Sequence, residues 1–374
     1  MATEHTILKA YKFRIYPNAD QTQMLNQTFG CARVVWNKLV ENFNAYDKNS
    51  ATPLPVVNEK TLKDSGDYPW LKDVSAAALQ QKRIDFTQFK KQFFDMGRKK
   101  KIGRPKFKKK GNRQSYRLTN QGFSLNQESS TIRLEKIGHV SIVLDRRIPD
   151  NADYRSVTVS KTPSGKFFAS VLVRQTVELL PSTGRMIGID VGLKDLFVYS
   201  DGSKENNSRW FRESQSKLAR AQRHLSRKKK GSNRRNRQRL KVARCHEKVV
   251  NCRDHYLHEK STRLVRENDV ICVEDLNIAG LVKNSRLAKS VSDAGWAKFI
   301  DMLEYKSHWY GRSFVKIDRF FPSSKTCSSC GHKRDKMGLD VRDWECPACG
   351  VEHDRDVNAA VNILNKGFND LIGV

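Results

Sequence analysis

Three acidic side chains in this sequence stand where predicted strands and helices begin or end. Asp190 lies in the first apolar strand of a predicted hairpin, Glu274 ends another apolar strand, and Asp356 starts a helix. A carboxylate in a buried strand is costly unless a basic side chain or a metal ion meets it. If the three converge, they could hold a pair of hard divalent ions, which prefer oxygen ligands. Such a pair activates water and stabilises the leaving oxygen of a phosphodiester.

Four of the eight cysteines form two Cys-x-x-Cys pairs, each followed by glycine. The spacing C-x2-C-x15-C-x2-C is typical of a closed structural zinc ribbon, because four thiolates match the tetrahedral preference of Zn²⁺. The predicted ligands are Cys327, Cys330, Cys346 and Cys349. A redox or iron–sulfur centre is the alternative. The flanking His332 and His353 are not expected to be ligands, and a closed four-sulfur site would not perform the chemistry itself.

The charge balance indicates a polyanionic partner. The chain has 374 residues, 70 Lys and Arg against 40 Asp and Glu, and a formal net charge of +30. Because so large a charge repels itself in a compact protein, nucleic acid is the expected partner. No apolar run approaches the ~20 residues needed to cross a bilayer, and no signal-type apolar region opens the sequence. We therefore expect a soluble, cytoplasmic protein.

Two segments concentrate the positive charge. Gly97–Arg113 and Lys217–Lys241 are rich in Lys and Arg and contain no acid. Lys and Arg bind nucleic acid by displacing counterions from its phosphates. Gln80, Gln81 and Lys82 lie off the apolar stripe of a predicted helix and could face DNA or simply be solvated. The predicted contacts in the basic segments are Lys99, Lys100, Lys101, Arg104, Lys106, Lys108, Lys109, Arg227, Lys228, Lys229, Arg234 and Arg235.

Periodicity predicts a mixture of strands and helices in the N-terminal half. A strand ends at Pro17, and Asn18 with Gln21 forms a capping box at the start of a helix. On that helix Trp36 and Phe43 could stack on bases, but core packing is the simpler interpretation of an amphipathic stripe. A loop near 50–56 and a helix over about 75–96 follow. Alternation between 115 and 174 predicts the antiparallel strands of a small barrel.

The C-terminal half is predicted to contain several further helices. Gly231-Ser232-Asn233 separates two of them, and the second places Cys245 and Cys252 on a core-facing seam. Another helix is expected over about Asp293–Tyr310, followed by a strand. A short helix is expected to begin at Asp356.

At the three acidic motifs the chain resembles the RuvC-type nucleases of the RNase H-like superfamily, and more closely the TnpB family. The motifs are GIDVGLK, VEDL and DRDVNAA, and the resemblance assigns catalytic roles to Asp190, Glu274 and Asp356. Asp356 is preferred because a single residue separates it from Asn-Ala-Ala, as in the family's metal ligand. Asp354 is the second choice. The resemblance covers most of the chain.

The fold that this resemblance implies is multidomain, α/β and β. It consists of an RNase H-like (RuvC) nuclease domain with an inserted zinc ribbon and a small antiparallel β-barrel (wedge) domain with an inserted helical recognition lobe. The expected boundaries are 1–17 for the first barrel strand, 18–96 for the recognition lobe, 97–182 for the basic loop and remaining barrel, 183–320 for the nuclease domain, 321–352 for the ribbon and 353–374 for the final nuclease segment.

The function that the resemblance implies is RNA-guided cleavage of DNA for an insertion-sequence-type transposon. The expected partners are a guide RNA and double-stranded target DNA bearing a short flanking motif, with one monomer per RNA, in a prokaryotic cytoplasm and on the nucleoid when DNA is bound. Mg²⁺ (or Mn²⁺) is the expected ion at the acids. Arg342, in the ribbon, could approach the cleaved phosphate or be merely solvated. The alternatives are an unguided resolvase or transposase of the same fold, and a non-cleaving RNA-guided repressor.

Overall fold

The computed structural model describes residues 4–45, 57–98, 102–111, 113–207, 210–338 and 341–373, with only the backbone described at 210–213. The chain divides into two compact units, an N-terminal unit (Thr6–Thr176) and a C-terminal unit (Val177–Val374 with Met1–His5). None of the described helices is long and apolar enough to span a bilayer. The predicted loop near 50–56 and three predicted nucleic-acid contacts lie outside the described residues; the three contacts are Lys99, Lys100 and Lys101.

The N-terminal unit is built on one seven-stranded sheet. Its strands are β1 (Glu4–Tyr16), β2 (Gln114–Thr119), β3 (Phe123–Asn126), β4 (Thr131–Leu134), β5 (Gly138–Val143), β6 (Asp153–Lys161) and β7 (Phe167–Glu178). The order is β2-β6-β7-β1-β5-β4-β3, and every pair with a described register is antiparallel. A 3₁₀ turn (Asn120–Gly122) joins the two edge strands, so the sheet nearly closes. This confirms the predicted antiparallel barrel.

Three helices accompany this barrel: α1 (Ala19–Asn44), α2 (Glu59–Asp64) and α3 (Ala76–Phe94). The predicted capping box is present, since the Asn18 side chain accepts from the amide of Gln21 and the Gln21 side chain accepts from that of Asn18. The prediction for Lys82 was wrong: it is buried, and its ammonium lies 2.8 Å from the Asp85 carboxylate. The spacing of apolar residues locates the core-facing side of a helix. It does not show which polar side chains of that helix a neighbouring strand will bury.

The C-terminal unit contains a five-stranded sheet and a separate two-stranded one. The strands are β8 (Met186–Val191), β9 (Asp195–Tyr199), β10 (Lys204–Asn206), β11 (Val270–Glu274), β12 (Ser313–Ile317), β13 (Asp343–Glu345) and β14 (Glu352–Asp354). The larger sheet has the order β10-β9-β8-β11-β12. β8 and β9 form the predicted hairpin, whereas β11 runs parallel to both β8 and β12.

Helices accompany this mixed sheet, and several of them pack on it. They are α4 (Trp210–Ser226), α5 (Asn233–Glu267), α6 (Ile278–Leu281), α7 (Ala288–Ala294), α8 (Trp296–Tyr310) and α9 (Arg355–Ile372). α5 and α8 pack on one face, where the rings of Phe197 and Phe299 stack with centroids 3.9 Å apart. α9 packs on the other face against Cys272 and Ile317.

Three sequence predictions about these helices need correction. Cys252 is exposed and Cys245 only half-buried, because the core-facing part of α5 begins at Val249 and continues through Leu257 and Leu264. The predicted helix over 293–310 is two helices, since Gly295 adopts a left-handed conformation (φ +72°) that ends α7. The helix that begins near Asp356 is not short but has 18 residues.

Candidate functional site

Strand alternation places Asp190 and Glu274 on the same face of the C-terminal sheet. In the parallel pair β8–β11, Ile189 is in register with Val273, and both pack into the core that includes α5 and α8. The next residue of each strand therefore points to the opposite face. That is the face against which α9 packs, so the two acids lie at or next to the ends of neighbouring strands on the side of that helix.

Close packing of α9 against the sheet depends on two glycines, one on β8 and one on α9 itself. A Cβ at Gly188 would lie 2.2 Å from the backbone oxygen of Ala360, and one at Gly367 would lie 2.5 Å from the Cys272 sulfur. Real Cβ atoms do not approach so closely, so only glycine allows this separation of helix and sheet. The first turn of α9, which carries Asp356, is thereby held close to the strand that carries Asp190.

The electrostatics show that the other two acids act on Asp190. Burial, followed by the charges of Asp356 and Glu274, raises the pKa of Asp190 to about 7. Burial and the adjacent Asp275 also raise the pKa of Glu274. Clustered carboxylates of this kind are stabilised by a divalent cation, whose oxygen-ligand preference they match. The donor set therefore fits Mg²⁺ or Mn²⁺.

The two aspartates near the start of α9 have different surroundings. Asp354 is the N-cap and accepts from the amides of Asp356 (3.1 Å) and Val357 (2.9 Å), while Lys204 pairs with it at 2.5 Å. Burial acts to raise the pKa of Asp354, but Lys204 and the two amides outweigh it and keep the pKa below the usual value. Asp354 is thus committed to the helix end, whereas the charge of Asp356 acts on Asp190.

Arg342 makes an ion pair with Asp356. Its Nη1 lies 2.9 Å from a carboxylate oxygen of Asp356, and its backbone oxygen accepts from the amide of Arg355 at 2.7 Å. The hairpin β13–β14 produces this contact by pairing Asp343 with Asp354. Arg342, for which the sequence left open a place near the cleaved phosphate or in solvent, is therefore paired with one of the three acids.

The four cysteines form a compact cluster. Their sulfurs all lie within 4.8 Å of one another, with Cys327 and Cys349 separated by 3.7 Å and Cys330 and Cys346 by 3.6 Å. Over the described ranges, no other group of three or more His, Cys, Asp or Glu side chains has its ligand atoms within 4.8 Å of one another. Asp190, Glu274 and Asp356 do not form such a group either. The cluster fits the predicted zinc site, and the acids are more widely spaced.

The local geometry of the cysteine pairs agrees with their sequence. Gly331 and Gly350, which follow the two pairs, adopt positive φ angles of 78° and 70°. Their amides donate to the carbonyls of Cys327 and Cys346 at 2.9 and 2.8 Å, closing each turn. His353 is buried with its Nε2 3.0 Å from the Cys327 sulfur, so it contacts a ligand without belonging to the four-sulfur group.

Two buried asparagines of α9, which the sequence interpretation missed, connect the ribbon to the acidic site. The Asn358 side chain accepts from the Ser328 amide (2.9 Å) and donates to the Thr326 carbonyl (2.8 Å). Asn362, one turn later, donates to the same carbonyl at 2.6 Å. The sequence does contain a signal for this role, because Asn358 and Asn362 stand four residues apart and so share one face of the helix, which is otherwise apolar there.

The predicted nucleic-acid contacts are distributed over both units. Gln80 and the loop residues Arg104, Lys106 and Lys109 are exposed, while Gln81 and Lys108 are half-buried. In the C-terminal unit Arg227, Lys229 and Arg234 are exposed and Lys228 is half-buried. Arg235 instead donates to the carbonyls of Leu225 (2.8 Å) and Lys228 (2.9 Å), which stabilises the turn between α4 and α5.

A cleft of about 560 Å³ runs between α4 and α5. Five cationic side chains line it, together with Cys245, Gln238 and His224, and no acid does; the cations are Lys217, Arg220, Lys241, Arg244 and Lys248. A cleft with one sign of charge concentrates oppositely charged ligands. The sequence identified the basic segment, but the cleft exists only because the two helices pair.

Family models match three parts of the chain. They are described as "Helix-turn-helix domain" (residues 1–50), "Probable transposase" (residues 169–285) and "Cas12f1-like, TNB domain" (residues 296–363). The last range covers the ribbon and the start of α9. In the first range, the described residues form β1 and the single helix α1.

Related proteins match nearly the whole chain. One from Streptomyces pristinaespiralis, named "Putative RNA-guided DNA endonuclease", is 40% identical over 97% of this chain and 90% of its own length. The endonuclease of the same description called InsQ, from Escherichia coli, is 31% identical over 96% and 92%. Proteins of Acanthamoeba polyphaga mimivirus named TnpB-like are 32% identical over 33% of this chain and 24% of theirs.

A solved structure has the same overall fold. The Cas12f1 chain in a complex with sgRNA and target DNA superposes with a TM-score of 0.53, over 96% of this chain and 99% of that one, at 13% sequence identity. The long matches at 40% and 31% identity establish the family relationship. The chain belongs to the TnpB family, the transposon-associated group whose relatives are named as RNA-guided DNA endonucleases.

Proposed function

We propose that this protein is an RNA-guided DNA endonuclease of an insertion-sequence-type transposon, and that it hydrolyses DNA phosphodiesters at Asp190, Glu274 and Asp356. The observation that carries the proposal is that β8, β11 and α9 bring three acids together, since the charges of Asp356 and Glu274 add to burial in raising the pKa of Asp190. The parallel register of β8 and β11 supports a RuvC-like assignment for this domain.

Each acid has a distinct part in this proposal. Asp190 and Glu274 offer carboxylate oxygens from adjacent strand ends, and Asp356 offers one from the helix above them. Two divalent ions bound there would supply the activation of water and the stabilisation of the leaving oxygen. Asp354 keeps the first turn of α9 in place, and Arg342 is positioned to stabilise negative charge on the cleaved phosphate.

Nucleic acid fits the charged surfaces of both units. The α4–α5 cleft and the loop of residues 102–111 offer cations without acids, as phosphate backbones require. The related Cas12f1 structure contains an sgRNA and target DNA, which supports a guide RNA and a DNA target as partners here. We propose one monomer per RNA. The four-thiolate site is closed and would hold Zn²⁺ in a structural role.

A pair of variants tests the catalytic assignment. Asp190→Ala is expected to abolish Mg²⁺-dependent cleavage of a DNA that matches the guide, while leaving nucleic-acid binding nearly unchanged. Asp301→Ala, at an exposed acid on α8, is the matched control and should cleave normally. Retained cutting by Asp190→Ala would refute the metal-binding role.

Arg342 is tested separately. Arg342→Ala is expected to slow cleavage by about 10²-fold, a cost typical of losing one charge-stabilising donor, with little change in DNA affinity. Arg342→Lys should recover part of the rate because it retains the charge. A full-rate Arg342→Ala variant would show that the ion pair with Asp356 is only structural.

The guide is tested by sequencing the RNA that co-purifies with the protein from its native locus. Cleavage of a matching DNA should require that RNA. RNA-independent cutting would instead establish the unguided alternative, a resolvase or transposase of the same fold. A repressor that does not cleave is disfavoured because all three acids are retained. If the DNA stayed intact with every matched guide, the repressor would become the better explanation.

A further inference from the structure

Phe107 is an exposed aromatic side chain on the basic loop of the N-terminal unit, which we define as residues 102–111. Its exposed fraction is 52%, and no aromatic ring of the described chain contacts it. Most other phenylalanines of the unit pack on one another; Phe94, equally exposed at 56%, still touches the rings of Phe43 and Phe93. The proposed catalytic mechanism assigns no role to Phe107.

The basic loop is fastened to α1 on both sides of Phe107. The Trp36 indole donates to the carbonyl of Lys106 at 3.1 Å, and Asn37 both accepts from the Lys108 amide (2.8 Å) and donates to its carbonyl (3.1 Å). The Lys108 ammonium lies 3.9 Å from the centre of the Trp36 ring. Trp36 thus anchors this loop, a role beyond the core packing expected from the sequence.

These anchors fix the direction of the Phe107 side chain. Lys106 and Lys108 are held through their backbones, and Lys108 turns inward over Trp36, while the intervening Phe107 is exposed. Pro105 is buried and further limits the backbone. The aromatic ring is therefore presented to solvent by a preorganised segment, which lowers the entropic cost of binding a ligand there.

Charge surrounds the exposed ring. The basic loop contains five cations and no acid, and four of the cations are exposed; they are Arg104, Lys106, Lys109 and Lys110. Cations that track a phosphate backbone, combined with an aromatic side chain on which a base stacks, are the usual means of binding single-stranded nucleic acid. Duplex DNA is a poorer fit, because its bases are already stacked and extruding one costs several kcal/mol.

We propose that Phe107 stacks on an unpaired nucleotide of the bound RNA while the exposed cations of the basic loop contact its backbone. RNA is favoured because its loops, bulges and ends present unstacked bases without that cost. The inference deepens the proposed function and rests on it, since it requires the protein to carry an RNA.

Binding of oligouridine of about 12 nucleotides to the full chain provides the first test. Phe107→Ala is expected to weaken binding by about 10-fold at every salt concentration. The slope of log affinity against log salt should not change, because no phosphate contact is lost. Lys109→Ala should instead reduce that slope by about 0.7. Phe107→Trp should retain affinity, whereas Phe107→Leu should not.

Matched controls separate stacking from general damage. Phe94→Ala should leave oligouridine binding unchanged, and Phe107→Ala should leave affinity for a short duplex DNA unchanged. Binding of oligouridine by Phe107→Ala within twofold of the parent, or by Phe107→Leu as tightly as by Phe107→Trp, would overturn the stacking assignment.

Photo-crosslinking in cells identifies the nucleic acid. p-Benzoylphenylalanine at position 107 of the full chain should capture material that RNase removes, and the same residue at position 94 should not. A DNase-sensitive adduct at 107 would overturn the choice of RNA. Absence of any RNA on the unsubstituted protein would refute the proposed function, whereas RNA present but never captured at 107 would refute only this inference.

Discussion

The cysteine cluster and the acidic site are two ligand sets in one unit that are assembled in different ways. The cysteines come from two turns close together in sequence, and their four sulfurs already lie within 4.8 Å of one another. The acids come from three distant stretches, and their carboxylate oxygens do not all lie within that distance of one another. Short motifs can therefore encode a nearly complete metal site, whereas dispersed ligands depend on how a helix packs on a sheet.

The two sites are nevertheless connected. The ribbon supplies Arg342 to the acidic site, and α9 supplies Asn358 and Asn362 to the first cysteine turn. Each site thus contains groups from the segment that builds the other. Variants that damage one and spare the other will show how strongly they are coupled.

The largest effect is expected from the acid of α9. Asp356→Ala should lower the cleavage rate by about 10³-fold or more, since several kcal/mol of transition-state stabilisation would be lost. Asp354→Ala should reduce the rate less but destabilise the helix end by about 1 kcal/mol, because it removes an N-cap. Cleavage assays and thermal unfolding would measure both. A greater loss of rate for Asp354→Ala would reverse the assignment.

Next in size is the loss of a cysteine ligand. Cys346→Ser should release zinc and increase hydrogen exchange across the ribbon, since structural zinc sites contribute folding energy directly. Cys252→Ser, at an exposed thiol on α5, is the control and should change neither. Metal analysis with hydrogen-exchange mass spectrometry would detect the difference. A well-ordered Cys346→Ser ribbon with unchanged metal content would exclude the four-thiolate site.

Packing of α9 on β8 is tested by a single methyl group. Gly188→Ala should destabilise the C-terminal unit by about 1–3 kcal/mol, because the new Cβ would overlap the Ala360 carbonyl. Gly30→Ala, within α1, where an added Cβ would make only an ordinary contact of 3.9 Å with the Arg33 side chain, should stabilise its unit by about 0.5–1 kcal/mol. Denaturant unfolding would measure both changes. Equal stability of Gly188→Ala and the parent would contradict this packing.

The last test concerns the link between the two sites. Asn358→Ala should cost about 1–3 kcal/mol by leaving the Ser328 amide without its acceptor, while the Thr326 carbonyl keeps its hydrogen bond from Asn362. Zinc should remain bound while the cleavage rate falls, because the ribbon and α9 would be less firmly connected. Asn365→Ala, at an exposed position of the same helix, is the control. An Asn358→Ala variant with parental stability and rate would show that the sites act independently.

Local sequence signals predicted local structure well. The capping box at Asn18, the hairpin of β8 and β9, and the glycine turns after the cysteines are all present. Each depends on interactions within a few residues. Predictions that needed a packing partner did less well: Lys82 proved buried, and Cys252 proved exposed. Nothing in helical periodicity indicates where a neighbouring element begins to cover a helix.

The sequence by itself determined the donor types, the cysteine spacing, the excess of positive charge and the family. Those properties follow from residue identity and from distances along the chain. Only the tertiary structure decided that Asp190 and Glu274 share a face, that Gly188 lets Asp356 approach them, and that Arg342 pairs with Asp356. The reason is that strand register and helix docking set distances between residues far apart in the chain, and these depend on the complementarity of whole surfaces.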